Sequence, residues 1–291
     1  MKIGFIGFGE AARAFRKSLA EVDPALAFFA YDILLDSEGS QGPCAAVMKE
    51  CDVVAVSSSA DGFSDCDWIV SAVTADQSLG AARAASGWLR PGQTFFDINS
   101  VSPQRKQESA AHVSATGAAY LDMAVMAPVH PRGHRTPVLL AGTVRPSTTQ
   151  ALSRLGFDFE VVGPEPGAAT AIKMVRSLFV KGLEAITVEA LLAAQASGCL
   201  DYVLKSLGKS FAGLGWPDFA HYQFERTLTH GNRRAAEMRE SAATMAVLGR
   251  NDRLADAIAD TQALMGAMKA APHANADLAA VLAALEPKSA R

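Results

Sequence analysis

Cysteine is scarce in this chain, and its few copies are far apart. Only four cysteines occur among the 291 residues, at Cys44, Cys51, Cys66 and Cys199. They have neither the paired spacing of a zinc site nor the density of a disulfide-stabilised fold. We therefore predict reduced thiols in a cytoplasmic protein, and we predict no metal site.

Long uncharged apolar runs are also missing. No stretch approaches the roughly 18 apolar residues that a transmembrane helix requires. The most apolar helical segment is interrupted by Lys181, Glu184 and Glu189. The short apolar run at the start of the sequence is predicted to be a strand rather than a signal peptide. We expect a soluble protein with no membrane partner.

An excess of positive charge is absent as well. The 27 lysines and arginines are balanced by 30 acidic residues, which gives a net charge of −3. A chain without a basic field is not expected to bind nucleic acid. With 49% apolar and 20% charged residues, the composition is that of a folded globular protein. Its length allows two domains of ordinary size.

A glycine-rich turn follows directly after the first apolar run. Lys2–Ile6 is predicted to be a strand, and it leads into the pattern Gly7-x-Gly9-x-x-Ala12. In a dinucleotide-binding fold, the first glycine allows the sharp turn, the second lets the pyrophosphate approach, and the small third residue lets the helix pack closely. The pyrophosphate then lies against the amides at the helix N-terminus. The residues of this turn predicted to contact the cofactor are Gly7, Phe8, Gly9, Glu10, Ala11 and Ala12.

Asp32 ends the second predicted strand, twenty residues after Ala12. A carboxylate there accepts hydrogen bonds from the ribose hydroxyls and repels a 2′-phosphate. The next residues, Ile33 to Leu35, include no arginine that could hold such a phosphate. We therefore predict NAD as the cofactor, with NADP left open. A carboxylate that simply ends a strand is the other interpretation.

Short apolar runs alternate with helical patterns over residues 1–165, which predicts a doubly wound, mostly parallel sheet of the Rossmann type. The predicted strands are Lys2–Ile6, Leu26–Tyr31, Val53–Val56, Trp68–Val73, Thr94–Ile98, Ala119–Met123, Pro137–Ala141 and Phe159–Val162. The helices predicted between them are Glu10–Ala20, Asp76–Leu89 and Ser102–Ala115. Val73 and Thr74, at the end of one of these strands, are predicted to contact the cofactor.

Residues 166–291 are predicted to form an all-helical domain for substrate binding and dimerisation. The predicted helices are Gly167–Ala196, Leu200–Phe211, Pro217–His230, Arg234–Leu248, Asp252–Met268 and Ala274–Leu285. The first of these is too long and too apolar to be covered by a small bundle alone. We therefore expect a homodimer.

Three further segments resemble the β-hydroxyacid dehydrogenases, the superfamily of 3-hydroxyisobutyrate and 6-phosphogluconate dehydrogenases. They are Asp97–Pro103, Asp122–Val129 and the start of the long helix at Gly167–Ser177. A narrower resemblance is to a branch whose helical C-terminal domain is like that of phosphogluconate dehydrogenase. It is found at Asp97–Pro103, Ala124–Pro128, Ile172–Gly182 and His230–Glu240. The resemblance spans nearly the whole chain and keeps the order of the motifs.

The resemblance implies that Lys173 is the general acid/base. Oxidation of an alcohol by a nicotinamide requires removal of the hydroxyl proton, and a lysine can accept it if its pKa is brought towards neutrality. A surface lysine on an amphipathic helix is the alternative. Ser100 matches the hydroxyl residue between cofactor and substrate, and Asn99 is predicted to contact the cofactor beside it. Capping of the helix that begins at Ser102 is the competing role.

The sequence departs from the superfamily where the substrate is expected. The usual Ser-Gly-Gly is replaced by Met126-Ala127-Pro128, and Ser177 stands where asparagine is usual. Lys181 continues the helix face of Lys173 and Ser177. The residues predicted to bind substrate are Ser100, Met126, Ala127, Pro128, Ser177 and Lys181. Two further groups are candidates, the loop residues His130, Arg132, His134 and Arg135, which form an anion pocket or a solvated loop, and the helical residues Arg226, His230 and Arg233.

The predicted function is an NAD(P)-dependent oxidoreductase for a small-molecule β-hydroxy acid or its semialdehyde. One alternative is oxidative decarboxylation of a sugar-acid type of substrate. A second is imine reduction, although imine-reducing members of the superfamily depart at the lysine that this chain retains as Lys173. A third alternative, from another class, is a dinucleotide-binding protein without catalysis.

Overall fold

The computed structural model describes residues 1–39, 41–56, 60–268 and 277–285. The chain divides into two compact units, Met1–Lys173 and Met174–Arg291. The first is an α/β unit and the second is helical. One helix, Ala168–Ala196, begins in the first unit and continues into the second.

In the part of the first unit that the structure describes, the strands form an eight-stranded sheet. Its strands are β1 (Lys2–Ile6), β2 (Ala27–Tyr31), β3 (Val54–Ala55), β4 (Trp68–Ser71), β5 (Thr94–Asp97), β6 (Ala119–Val125), β7 (Val138–Gly142) and β8 (Phe159–Gly163). Their order in the sheet is β3-β2-β1-β4-β5-β6-β7-β8. Each predicted strand is present, with small shifts at the ends, so the predicted fold class is confirmed.

The pairing of the strands explains where a ligand can bind. The pairs from β3 to β6 are parallel, and only β6 with β7 is antiparallel among the described strands. The chain between β6 and β7 holds one short 3₁₀ turn, Gly133–Arg135, because antiparallel neighbours need no helical crossover. The strand order reverses beside β1, and such a reversal opens a crevice at the carboxyl ends of the strands.

Helices cover both faces of the sheet. They are α1 (Glu10–Val22), α2 (Leu34–Glu38), α3 (Pro43–Glu50), α4 (Ala60–Phe63), α5 (Ser78–Ser86), α6 (Pro103–Ser114) and α7 (Pro146–Leu155). One apolar cluster includes Phe5, Phe15 and Phe96. A second, separate apolar cluster includes Phe63 and Phe95. A parallel sheet is stable when apolar side chains are covered on both faces.

Over its described residues, the second unit contains the greater part of α8 (Ala168–Ala196) and four further helices. These are α9 (Leu200–Ser210), α10 (Asp218–Val247), α11 (Asp252–Ala267) and α12 (Leu278–Leu285). The start of the last predicted helix, at 274–276, lies outside the described residues. No described helix is both long enough and apolar enough to span a membrane.

The prediction of two helices over Pro217–His230 and Arg234–Leu248 is wrong, because α10 runs through both segments without a break. Gly231 lies in the gap between the two predicted helices. In the structure it lies where α10 meets α11, and a Cβ on it would be 2.2 Å from the carbonyl oxygen of Gln262. This glycine therefore serves the close approach of two helices and does not end one.

The two units divide inside α8, eight residues beyond the domain boundary predicted near residue 165. The first turns of α8 belong to the α/β unit for a physical reason. Ala169 is fully buried against Ala124 and Ala141 of the sheet. Thr170 donates two hydrogen bonds to Asp122 at 2.7 and 2.9 Å.

Candidate active site

The turn after β1 requires glycine at its first position. Gly7 has φ +83°, and a Cβ there would lie 2.5 Å from the carbonyl oxygen of Ala72. Its amide donates to the carbonyl of Tyr31 at 2.8 Å, which joins the ends of β1 and β2. The backbone is therefore held in a conformation that favours glycine, at the edge of the sheet where ligands bind.

The first turn of α1 fits a pyrophosphate. Gly9 is exposed, and a Cβ on it would meet no atom within 4 Å, so there is room for a ligand against the backbone. The first bond of the helical type runs from Arg13 to the carbonyl of Gly9, and it leaves the amides of Glu10, Ala11 and Ala12 without a partner inside the helix. Such amides bind phosphate groups at a helix N-terminus.

Asp32 is held by the backbone on both sides. Its Oδ2 accepts a hydrogen bond from the Phe8 amide at 2.8 Å, and its Oδ1 accepts one from the Leu34 amide at 3.1 Å. These bonds fix the carboxylate beside the glycine turn, and each oxygen keeps a lone pair for a ribose hydroxyl. Ile33 is 64% exposed beside it and offers no charge.

Asn99 is mainly a structural residue of the strand ends. Its side-chain amide donates to the Ser71 hydroxyl at 3.0 Å and to Asp97 at 2.8 Å, while its Oδ1 accepts from the Val73 amide at 2.8 Å. Both of its side-chain hydrogens are therefore used within the protein. Thr74 is exposed at the same edge. The predicted cofactor contacts of these residues stay predictions.

Lys173 and Ser100 are brought together in the first unit. The Lys173 Nζ donates a hydrogen bond to the Ser100 Oγ at 2.6 Å, across 73 residues of sequence. Both residues are partly buried. An amine that is joined to a hydroxyl at the carboxyl edge of a parallel sheet is placed where proton transfer to a bound ligand can occur.

Lys106 of α6 is fully buried and was not among the predicted site residues. The Lys106 Nζ lies 2.8 Å from Asp97 Oδ1 and 3.5 Å from Asp122 Oδ1, and all three side chains are almost completely buried. A signal was present, because Lys106 shares one helix face with the buried residues Ala110 and Val113 of α6. Ser102, the predicted cap of that helix, occupies the N-cap position but makes no side-chain capping bond.

The other two predicted residues of the α8 face lie in the second unit. The Lys181 Nζ donates to the Ser177 Oγ at 3.2 Å and pairs with Glu237 Oε2 at 3.0 Å. Only 9% of the Lys181 side chain is exposed. Its ammonium thus has a protein carboxylate as its partner, which the prediction of a substrate-binding cation did not include. Arg233 also pairs with Glu237.

A second buried ion pair joins the helices of the same unit. Arg234 of α10 pairs with Glu184 of α8, and Gln262 of α11 donates to Glu184 at 2.7 Å. Burial, followed by the charge of Arg234, lowers the pKa of Arg226 on α10. Through the Glu184 carboxylate, Arg234 and Gln262 thus link α8, α10 and α11.

The loop between β6 and β7 contains both open and buried residues. Ala127 and Pro128 are exposed and Met126 is half-buried, so this segment is accessible, as a substrate loop must be. His134, in contrast, is fully buried, with its ring between the Ser18 hydroxyl at 2.7 Å and the Leu155 carbonyl at 2.8 Å. Burial lowers the pKa of His134. It fastens the loop and does not bind an anion.

Comparison with known proteins gives the family. A conserved hypothetical protein from Sinorhizobium meliloti 1021 is 33% identical, with 97% of this chain and 95% of that chain covered and a TM-score of 0.80. A conserved protein of unknown function, described as structurally similar to 3-hydroxyacid dehydrogenases, is 28% identical, with 92% and 100% covered and a TM-score of 0.68. The chain belongs to the β-hydroxyacid dehydrogenase superfamily. The predicted superfamily is confirmed.

Two further matches concern the helical unit and the fold. A family model described as a domain of unknown function, DUF1932, matches residues 194–265, which lie in the helical unit. A 3-hydroxyisobutyrate dehydrogenase of Mycobacterium tuberculosis, described with L-serine, has a TM-score of 0.71 over 98% of this chain and 99% of that chain. At 17% identity, that likeness concerns the fold alone.

Proposed function

We propose that this β-hydroxyacid dehydrogenase superfamily member is an NAD(P)-dependent oxidoreductase that oxidises a β-hydroxy acid or reduces the matching semialdehyde. The observation that supports this most is the contact between Lys173 and Ser100. It places an amine and a hydroxyl together at the carboxyl edge of the sheet, as the superfamily chemistry requires. Membership of the superfamily also supports an NAD(P)-dependent oxidoreductase.

In the proposed mechanism, Lys173 moves the proton of the reacting hydroxyl. A dinucleotide bound there would supply the hydride-transfer chemistry of its nicotinamide. The neutral amine of Lys173 takes the hydroxyl proton during oxidation and returns it during reduction. Ser100, which accepts a hydrogen bond from Nζ at 2.6 Å, fixes the direction of the amine. The amides at the start of α1 and the carboxylate of Asp32 would hold the dinucleotide.

Three other functions are distinguished by the products formed. A decarboxylase would release carbon dioxide with each oxidation, whereas the proposed enzyme releases none. An imine reductase would consume reduced cofactor with a cyclic imine. A protein that binds the dinucleotide without catalysis would turn over no substrate. The presence of Lys173 and Ser100 in contact favours the proposed oxidation of an alcohol.

The proposal is tested first by a screen of β-hydroxy acids with NAD and NADP, followed by the absorbance of the reduced cofactor. With an accepted substrate, Lys173→Ala is expected to lower kcat by about 10²–10⁴-fold, the usual effect of removing a general acid/base. Lys173→Arg is not expected to restore turnover, because a guanidinium stays protonated.

Lys181→Ala is the matched control on the same helix. If Lys181 holds an anionic group of the substrate, its loss raises KM more than it lowers kcat. Near-normal turnover of Lys173→Ala together with an inactive Lys181→Ala would move the proton transfer away from Lys173 and overturn the assignment.

We propose NAD as the cofactor because Asp32 is fixed beside the glycine turn. The carboxylate is expected to bind the free 2′-hydroxyl, and Asp32→Ala is expected to reduce the preference for NAD, measured as the ratio of kcat/KM values. The opposite case is a preference for NADP, in which Arg13 would hold the 2′-phosphate. Arg13 is the candidate because Arg13 and Asp32 both act on the pKa of the Cys44 thiol, so both lie near this thiol. A wild-type preference for NADP that disappears in Arg13→Ala would contradict the proposal.

We also propose a homodimer. Val175, Phe179 and Ile186 share one face of α8, and they are 50%, 70% and 65% exposed. A second copy of the chain would cover this apolar face. Light scattering is expected to give a dimer that Phe179→Lys weakens, whereas Tyr202→Lys, at an exposed aromatic residue on α9, leaves it intact. An active monomer of the wild type would remove this proposal.

A further inference from the structure

Lys106 is linked to both residues of the proposed active site, Ser100 and Lys173, through two buried carboxylates. Its Nζ donates to the carbonyl oxygen of Asp97 at 2.7 Å and to Asp97 Oδ1 at 2.8 Å, and it lies 3.5 Å from Asp122 Oδ1. The ammonium is fully buried between two fully buried carboxylates. Asp97 ends β5 and Asp122 lies in β6, opposite each other in the sheet. From each of the two carboxylates, a chain of hydrogen bonds leads outwards.

The first chain of bonds leads to Ser100. The carboxylate of Asp97 accepts hydrogen bonds from the backbone amide of Asn99 at 3.0 Å and from its side chain at 2.8 Å. Asn99 then accepts from the Val73 amide, so the strand-end loop is fixed on both sides. Ser100 is the next residue along the chain. The position of its Oγ is therefore set by the turn that Asp97 closes.

The second chain of bonds leads to Lys173. Asp122 accepts a hydrogen bond from the Thr170 amide at 2.9 Å and another from the Thr170 hydroxyl at 2.7 Å. Thr170 lies in the first turn of α8, where amides lack helical partners, so a strand residue caps this helix. Lys173 follows Thr170 by about one helical turn. The start of the helix that carries the amine is thus fastened to Asp122.

No buried polar atom of Lys106, Asp97 or Asp122 lacks a hydrogen-bond partner within the described residues. We therefore expect this charged cluster to be rigid. Tyr120 donates to Asp97 Oδ2 at 2.8 Å, and burial, together with the charges of Asp97 and Asp122, raises its pKa well above the usual value. The phenol therefore stays a neutral donor. A buried ammonium between two hydrogen-bonded carboxylates resists displacement, because moving one member leaves another charge unpaired.

We propose that Lys106, Asp122 and Thr170 are positioning residues, which together hold Lys173 Nζ against Ser100 Oγ. This inference rests on the proposed function. Catalytic contact stays with Lys173 and Ser100, while the three positioning residues act only through them. A small displacement between reacting groups lowers the rate strongly even where binding is unaffected.

The first test uses Thr170, where a change of one atom is possible. Thr170→Val keeps the shape but removes the hydroxyl bond to Asp122, and it is expected to lower kcat by about tenfold while the Kd for NADH is unchanged. Thr170→Ser keeps both bonds and is expected to restore kcat. Thr148→Val, at a buried threonine of α7 in the same unit, is the control and should keep full turnover.

The second test is a double-mutant cycle with Lys106→Met, which keeps the length of the side chain and removes the charge. Lys106→Met is expected to lower kcat by about a hundredfold, and the combination with Thr170→Val to add little, because both act along the same chain of bonds. Additive losses would overturn the proposal. If Lys106→Met does not fold, the Thr170 series decides alone, since a purely structural role would lower Tm and leave the kcat of the folded protein unchanged.

A measurement without turnover separates this inference from the proposed function. Lysine amines are labelled by reductive methylation with ¹³C, and the Lys173 signal is assigned by its loss in Lys173→Arg. The titration midpoint of this signal is expected to differ between wild type and Thr170→Val, because the contact with Ser100 is altered. An identical midpoint overturns the positioning role. Absence of turnover with every hydroxy acid would instead remove the proposed function and leave the positioning result standing.

Discussion

Both units of the chain bury charged side chains, but they use them differently. In the α/β unit, Lys106 and its two carboxylates bond to backbone groups and to polar residues of the strand-end loops. In the helical unit, Glu184 bonds to side chains of two other helices, Arg234 and Gln262. The first arrangement fixes loops and a helix end. The second fixes which helices pack together.

The two clusters also differ in how completely their polar atoms are bonded. Within the described residues, the buried Nε of Arg234 and the buried Oε1 of Gln262 have no hydrogen-bond partner. No atom of Lys106, Asp97 or Asp122 is in that state over the same residues. A buried polar atom without a partner lowers stability. The comparison teaches that the better-bonded cluster lies beside the proposed active site, where geometry matters most.

Breaking the helical cluster gives the largest expected effect. Glu184→Leu leaves the Arg234 guanidinium buried without its carboxylate, and it is expected to lower the free energy of unfolding by about 3–5 kcal/mol. Urea unfolding followed by the fluorescence of Trp216 reports on this unit, once Trp68 and Trp88 of the first unit are replaced by Phe. The double variant Glu184→Leu/Arg234→Met is expected to recover most of the loss. A double variant no more stable than Glu184→Leu would contradict this account.

The same substitution, glycine to alanine, tests the packing inside each unit, at Gly231 in the second and at Gly80 in the first. Gly231→Ala is expected to cost about 1–3 kcal/mol, because its Cβ would overlap the backbone of α11 at Gln262 and Gly266. Gly80, in α5 of the first unit, has no atom within 4 Å of such a Cβ. Gly80→Ala is therefore expected to stabilise by about 0.5–1 kcal/mol through helix propensity. Equal effects of both changes would show that the close helix contact is wrong.

The smallest expected effect is a difference between one cysteine of each unit, Cys66 and Cys199, in the rate of alkylation. Burial, and then the charge of Asp67, raises the pKa of Cys66 in the first unit to about 12, whereas Cys199 in the second is exposed. At pH 8, roughly one Cys66 side chain in 10⁴ is then a thiolate, the reactive form. Iodoacetamide is expected to label Cys199 rapidly and Cys66 only after unfolding. Labelling of native Cys66 at the rate of Cys199 would contradict its burial.

The same shift fixes the sign of a pH effect. The folded chain holds Cys66 as a neutral thiol, whereas the unfolded chain loses this proton above the ordinary thiol pKa of 9.0. The contribution of Cys66 to stability is therefore present below pH 9 and is lost as the pH rises towards 12. Cys66→Ala is expected to remove this dependence, measured by urea unfolding at pH 8 and pH 10.

Local patterns in the sequence determined the order of the strands and helices and the position of the dinucleotide turn. Gly7 and Gly9 form that turn and Asp32 is held beside it, and the spacing of these residues along the sequence was enough to predict it. The strands were recognisable because parallel strands buried on both faces appear as short apolar runs. The motif at Lys173 was equally local, since it occupies the first turns of one helix.

Which distant residues meet depends on the three-dimensional fold. Lys106 and Asp122 are polar residues in sequence, and their burial depends on a pairing of β5 with β6 that no local pattern specifies. Gly231 lies in the gap between two predicted helices, and its close neighbour Gln262, on another helix, became visible only in the structure. Propensity acts between neighbours along the chain, whereas burial and ion pairing act between neighbours in space. Through its buried carboxylates, the fold therefore determines how Lys173 meets Ser100.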